Sequence, residues 1–113
     1  PAMTEAETLA AMQTGADAVD VTADVLILGE MGIGNSTIAA AMASALFGGE
    51  VAGWVGAGTG SDSEGIKRKI AAIETGLARH KGLSAMGVLA ALGGREQAAI
   101  CGAVHQSADG MAS

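Results

Sequence analysis

The chain has 113 residues, which is the length of one small domain, and 50% of them are hydrophobic, which excludes an intrinsically disordered protein. Its formal net charge of −6 argues against a nucleic-acid-binding surface, because such a surface needs clustered basic residues. Aromatic residues are almost absent, so the core must be aliphatic, as suits a layered α/β domain. The single cysteine, Cys101, excludes an internal disulfide, and its apolar neighbours predict a buried, inert thiol.

Targeting and metal-binding patterns are absent from the sequence. The first residues contain no basic region followed by an apolar one, and the most apolar stretch, around residues 38–47, is too short to span a membrane. His80 and His105 lie far apart in the sequence, so we expect surface histidines rather than a metal site. We therefore expect a soluble, cytoplasmic protein that needs no metal and no cofactor.

The first predicted elements are a helix and a strand. Thr4 and Glu7 have the spacing of a capping box, and apolar residues follow at helical intervals, which predicts a helix over about residues 5–22. The unbroken apolar run at residues 24–29, ended by a glycine, is typical of a strand buried on both faces of a parallel sheet. A glycine-rich turn then leads into an alanine-rich helix over about residues 36–47.

The second half of the chain is predicted to be mainly helical. Residues 51–55 fit a short strand or a loop equally well, and a second glycine-rich turn at 56–60 precedes a capping box at 61–64. The helix that follows carries one apolar stripe, flanked on opposite sides by Lys67 and Lys69, so that one lysine could reach a bound ligand. The stripe consists of Ile66, Ile70, Ile73 and Leu77.

Two further helices are predicted over about residues 84–92 and 95–107. The count is then one or two strands against five helices, and so few strands cannot form a stable sheet. We therefore predict a parallel-sheet α/β domain with flanking helices, present here as an incomplete piece of a larger Rossmann-like domain.

The glycine-rich turn at residues 29–36 nearly fits a P-loop. Gly29, Gly34 and Ser36 match that motif, but Asn35 replaces the lysine that would neutralise the β- and γ-phosphates. These glycines could also serve only tight turns and close packing. A binding role is favoured because both glycine-rich turns precede a helix N-terminus, where anions bind, and because Glu30 is a carboxylate that needs a partner or a role.

Several segments resemble one enzyme family in the same order. Residues 29–41 read GEMGIGNSTIAAA and resemble the signature G-E-[ML]-G-I-G-N-T-T-x-A-A-A of nicotinate-nucleotide:dimethylbenzimidazole phosphoribosyltransferases, enzymes of cobalamin biosynthesis. Residues 1–4 (PAMT) and 55–65 (VGAGTGSDSEG) resemble two other family segments, and KRKI and LAALGG follow in order. Members are considerably longer than this chain, so residues 1–113 are interpreted as the central portion of their α/β domain.

The resemblance implies a reaction and a set of site residues. Family members, usually homodimers, transfer the phosphoribosyl group of nicotinate mononucleotide to 5,6-dimethylbenzimidazole, giving α-ribazole phosphate and nicotinate. Glu30 would support catalysis near the ribose or the reacting base, and Lys69 would contact the phosphate. The remaining substrate- or phosphate-binding positions would be Gly32, Gly34, Asn35, Gly56, Gly58 and Gly60. The family's general base, a glutamate nearer its C-terminus, matches no position here, so we expect this chain alone to be inactive.

Three positions depart from the family pattern, and two other functions stay open. Ser36 replaces a threonine, Ser63 replaces an aspartate, and Arg95 stands where members often have an aromatic residue. A P-loop-like nucleotide-binding module would bind nucleoside triphosphate with Mg²⁺. A non-catalytic structural domain would bind no ligand at all.

Overall fold

The computed structural model describes residues 1–55 and 63–112, with side chains described up to residue 108. Six helices make up the regular structure of this part of the chain. They are α1 (Glu5–Asp17), α2 (Asn35–Phe47), α3 (Val51–Trp54), α4 (Ser63–Arg79), α5 (Ala85–Leu92) and α6 (Arg95–Ala112).

The predicted parallel-sheet fold is wrong, because residues 1–55 and 63–112 contain helices and no strand. The segment at 24–29, predicted as a strand, runs as irregular chain along the surface, with Val25 73% and Ile27 87% exposed. Residues 51–54, which fitted a strand or a loop, form the short helix α3. An apolar run indicates burial, but a strand also needs a neighbouring strand to pair its main-chain groups, and the described residues supply none.

The helix predictions agree better with the structure. α2, α5 and the start of α6 lie within one residue of their predicted limits, whereas α1 ends at Asp17 rather than near residue 22. The capping box of α1 is confirmed, since Glu7 N donates to Thr4 Oγ1 at 3.1 Å and Thr4 N donates to Glu7 Oε1 at 2.9 Å. Cys101 is half-buried rather than buried, and His105 is exposed while His80 is half-buried.

The first and last helices pack against each other at two glycines. A Cβ atom added to Gly15 of α1 would stand 1.8 Å from the carbonyl oxygen of Ala99 in α6. A Cβ atom added to Gly102 of α6 would stand at the same distance from the carbonyl oxygen of Met12. Only hydrogen atoms at these positions let the two backbones approach so closely. Arg95 extends the contact, because its Nη2 lies 2.8 Å from Glu7 Oε2.

Among the described residues, buried hydrophobic side chains form two clusters. One contains Met3, Leu89 and Ala98, which join the N-terminal segment to α5 and α6. The other lies between α2, α3 and α4 and contains Ala40, Ala41, Val51 and Ile73. Ile70 and Leu77 pack against the second cluster, as the apolar stripe of α4 predicts. Among the described helices, none is both long and apolar enough to cross a membrane.

Candidate functional site

The loop before α2 ends in a glycine that the helix start requires. Gly34 is the N-cap residue and has φ 83° and ψ 6°, a left-handed conformation that glycine adopts without strain. Its carbonyl oxygen accepts hydrogen bonds from the N–H groups of Thr37 at 3.1 Å and Ile38 at 3.2 Å. Because the first N–H groups of a helix have no partner within it, the start of α2 carries partial positive charge toward the loop.

The carboxylate of Glu30 folds back onto this loop. Its Oε2 accepts a hydrogen bond from the main-chain N–H of Gly32 at 2.8 Å and a second, short hydrogen bond from Nδ2 of Asn35. Asn35 is the first residue of α2 and is only 7% exposed, whereas Glu30 belongs to the exposed chain that leads into the helix. A buried amide and a main-chain N–H therefore hold one oxygen of an exposed carboxylate.

A cavity of about 540 Å³ lies at the start of α2. It brings together five of the predicted site residues, which are Glu30, Gly32, Gly34, Asn35 and Lys69. Lys69 reaches the cavity from α4, so the loop before α2 and helix α4 place one acidic and one basic residue at the same opening. The other three predicted positions, Gly56, Gly58 and Gly60, lie outside the described residues.

Two residues that line the cavity were not predicted as site residues. Ile33 places an exposed apolar side chain beside the opening, and Ser36 contributes a hydroxyl group in the first turn of α2. Both lie inside the signature segment at 29–41, and their place in that segment is the sequence signal that could have identified them. Among the described residues, no group of histidine, cysteine and carboxylate side chains could hold a metal ion.

A phosphoribosyltransferase family model matches residues 1–111, which is almost the whole chain. The chain belongs to this phosphoribosyltransferase family. The family resemblance noted in the sequence is thereby confirmed.

Relatives of the chain share much of its sequence. The nicotinate-nucleotide–dimethylbenzimidazole phosphoribosyltransferase of Rhodobacter capsulatus is 71% identical over 104 residues, which cover 92% of this chain and 31% of the relative. Proteins with the same name from Mesorhizobium japonicum and a Ruegeria species are 57% and 53% identical, each with 31% of the relative covered. The chain thus spans about a third of the length of these relatives. No solved structure matches it significantly.

Proposed function

We propose that this chain supplies the nucleotide-binding part of a nicotinate-nucleotide:dimethylbenzimidazole phosphoribosyltransferase. The observation that carries the proposal is the cavity at the start of α2, which both Glu30 and Lys69 line. Its volume of about 540 Å³ falls within the range of pockets that hold ligands of nucleotide size. In the longer family proteins, residues 1–113 would form the central portion and leave the general base to another segment.

The charges around the cavity suit a phosphorylated sugar. The N-terminus of α2 presents unpaired N–H groups, and the ammonium group of Lys69 lines the same space, so the phosphate of nicotinate mononucleotide would bind there. Gly32 and Gly34 would let the ligand approach the main chain, and Asn35 completes the wall. Gly56, Gly58 and Gly60 remain proposed contacts from the family resemblance. With its phosphate fixed in this way, the sugar would be held in a reactive position.

The reaction would exchange one base for another on the ribose. A nitrogen of dimethylbenzimidazole attacks C1′ of the ribose, and the bond from C1′ to the nicotinate nitrogen breaks with its electron pair going to nicotinate. Positive charge builds on the sugar during this step, and the carboxylate of Glu30 would stabilise it. The proton of the attacking benzimidazole goes to a general base that this chain does not contain. We therefore expect binding without turnover.

A homodimer and a cytoplasmic location are also proposals. The homodimer rests on the family resemblance, and the cytoplasmic location is the expectation stated from the sequence. The P-loop alternative gains no support from the cavity, because Asn35 stands where a P-loop needs lysine and its amide donates to Glu30.

An amide NMR titration with nicotinate mononucleotide tests the proposal, with Mg-ATP as the competing ligand. We expect saturable shifts at Gly32, Ser36 and Lys69 with the mononucleotide only. Lys69→Ala should weaken binding roughly tenfold or more, the value of one lost charged hydrogen bond. Lys67→Ala is the matched control, since Lys67 lies on the same helix, is highly exposed and pairs with Glu64 at 3.6 Å. A folded chain that shows no shifts, or equal shifts with Mg-ATP, would contradict the proposal.

A further inference from the structure

The side chain of Asn35 faces Glu30. Asn35 is buried, and its Nδ2 donates to Oε2 of Glu30, which also accepts from the N–H of Gly32 at 2.8 Å. Glu30 itself lies in irregular, exposed chain, so no helix or strand restricts its rotamers. The two donors are therefore the groups that fix the carboxylate in one place beside the cavity.

The amide of Asn35 is chemically suited to positioning a carboxylate. It is a neutral donor, so it fixes the carboxylate without cancelling its charge, whereas a lysine at the same position would neutralise it. Both hydrogen bonds end on Oε2, which leaves Oε1 outside this pair of contacts. A hydrogen bond to an ionised group is also stronger than one between neutral groups.

Gly32 makes room for this arrangement. A Cβ atom added to Gly32 would stand 2.4 Å from Nδ2 and 2.9 Å from Cγ of Asn35, well inside contact distance. The glycine thus lets the amide of Asn35 lie directly against the loop, where it can reach Glu30. This role differs from the close approach of a ligand to the main chain that the family resemblance implies for Gly32.

We propose that Asn35 is a positioning residue, which acts on the substrate through Glu30 and not by contacting it. The amide of Asn35 holds the Glu30 carboxylate toward the cavity, and Gly32 provides both a second donor and the space for the amide. The action of Asn35 on the substrate rests on the proposed function, which it deepens. The hydrogen bonds from Asn35 and Gly32 to Glu30 form in the free chain and need no ligand.

A double-mutant cycle that combines Asn35→Asp with Glu30→Gln first tests the hydrogen bond between these two residues in the ligand-free chain. Asn35→Asp preserves shape but places a second carboxylate against Glu30, so the amide resonance of Gly32 should shift and the melting temperature should fall. With Glu30→Gln already present, the same change should have a much smaller effect. Gln13→Glu is the control, because it makes the same amide-to-carboxylate change beside Asp17 on α1, and it should leave the Gly32 resonance near its parent position. Equal effects of Asn35→Asp in both backgrounds would overturn the pairing.

A second cycle, made with Asn35→Ala and Glu30→Gln and titrated with nicotinate mononucleotide, tests the indirect action, because alanine removes the amide donor without placing a negative charge beside the phosphate. Asn35→Ala should lower affinity roughly tenfold in the parent chain, as expected for a displaced charged group, and less than twofold when Glu30→Gln is present. A tenfold loss in both backgrounds would mean that Asn35 contacts the ligand itself, and would overturn the proposal. If the parent chain binds no mononucleotide, the proposed function fails, and the cycle on the Gly32 resonance still decides whether Asn35 positions Glu30.

Discussion

Gly15 of α1 lies directly against the main-chain carbonyl of Ala99 in α6, with room for a hydrogen atom and not for a methyl group. Gly102 of α6 has the reciprocal relationship with Met12 of α1. Two glycines on facing helices therefore set the distance between them, and the contact depends on backbone fit more than on large side chains.

Replacing either glycine should separate the helices. Gly15→Ala or Gly102→Ala would place a carbon 1.8 Å from a carbonyl oxygen, and backbone atoms cannot rotate away as a side chain would. Overpacking of this kind costs about 1–3 kcal/mol, partly offset by the better helix propensity of alanine. Urea unfolding of each variant would measure the loss.

Gly53→Ala is the control for those substitutions. Gly53 lies in α3, and an added Cβ atom would meet nothing within 4 Å, so this change should be neutral or slightly stabilising. If Gly15→Ala were as stable as Gly53→Ala, the two backbones would not be in the close contact described.

Stability at acid pH should depend on Glu7. The main-chain N–H and the hydroxyl of Thr4 hold the pKa of Glu7 below its ordinary value of 4.5, and Arg95 adds to the effect. A depressed carboxyl pKa contributes stability that is present above the unfolded-state value and is lost as pH falls through the folded-state value. Glu7→Gln should therefore reduce the change in melting temperature between pH 6 and about pH 3.

Glu5→Gln, in the same first turn of α1, is the matched control for Glu7. It removes the same charge without removing the capping box or the contact with Arg95. NMR titrations of the parent chain and of Arg95→Ala would compare the pKa of Glu7 in the two proteins. The substitution should raise that pKa only part of the way to its ordinary value, because Thr4 makes the larger contribution. An identical pH dependence for the two glutamine variants would contradict this prediction.

Replacing Gly34 or Gly32, the two described glycines of the candidate site, with alanine should have different effects. Gly34→Ala forces a side chain into a left-handed conformation, which costs about 1–2 kcal/mol, but an added Cβ atom would meet nothing within 4 Å. Gly32→Ala needs no such conformation and would instead push Asn35 away from Glu30. We expect lower melting temperature from the first and a displaced Asn35 side-chain amide resonance from the second. The reverse pattern would refute this division of roles.

The exposed apolar chain before α2 should promote self-association. Val25 and Ile27 are largely exposed, and contiguous apolar surface of this kind is a common site of contact between molecules. Ile27→Asp should raise several-fold the concentration at which light scattering detects association. Ala23→Asp adds the same charge to an exposed position nearby and should have a smaller effect. If Ile27→Asp and Ala23→Asp had equal effects, net charge alone would explain the change in self-association.

Local signals in the sequence predicted five of the six described helices, all except α3, because the causes of those helices are local. Thr4 and Glu7 cap α1, and Ser84 caps α5 by accepting a hydrogen bond from the N–H of Gly87 at 3.1 Å. The strand at 24–29 was predicted wrongly because apolar composition carries no information about a pairing partner. Tertiary contacts such as Gly15 with Ala99, or Arg95 with Glu7, join positions far apart in the sequence, and no local pattern marks them.

The candidate site was predicted in outline and not in detail. The signature segment located Glu30, Gly32, Gly34 and Asn35. The helical spacing of α4 left Lys67 and Lys69 open, and the family resemblance selected Lys69, which lines the same cavity. The hydrogen bond between Asn35 and Glu30 depends on how the loop at residues 30–34 folds back, and the sequence of that loop does not specify its conformation. Whether these residues bind a nucleotide stays a prediction.

The pairing of α1 with α6 also bears on how the chain is made. Glu7 and Arg95 are 88 positions apart, so α1 leaves the ribosome long before its partner helix exists. At ordinary rates of translation the delay is on the order of ten seconds. During that time the buried face of α1 has only transient contacts available, and chaperones or proteases can reach it. The contact between α1 and α6 can therefore form only after α6 has been completed.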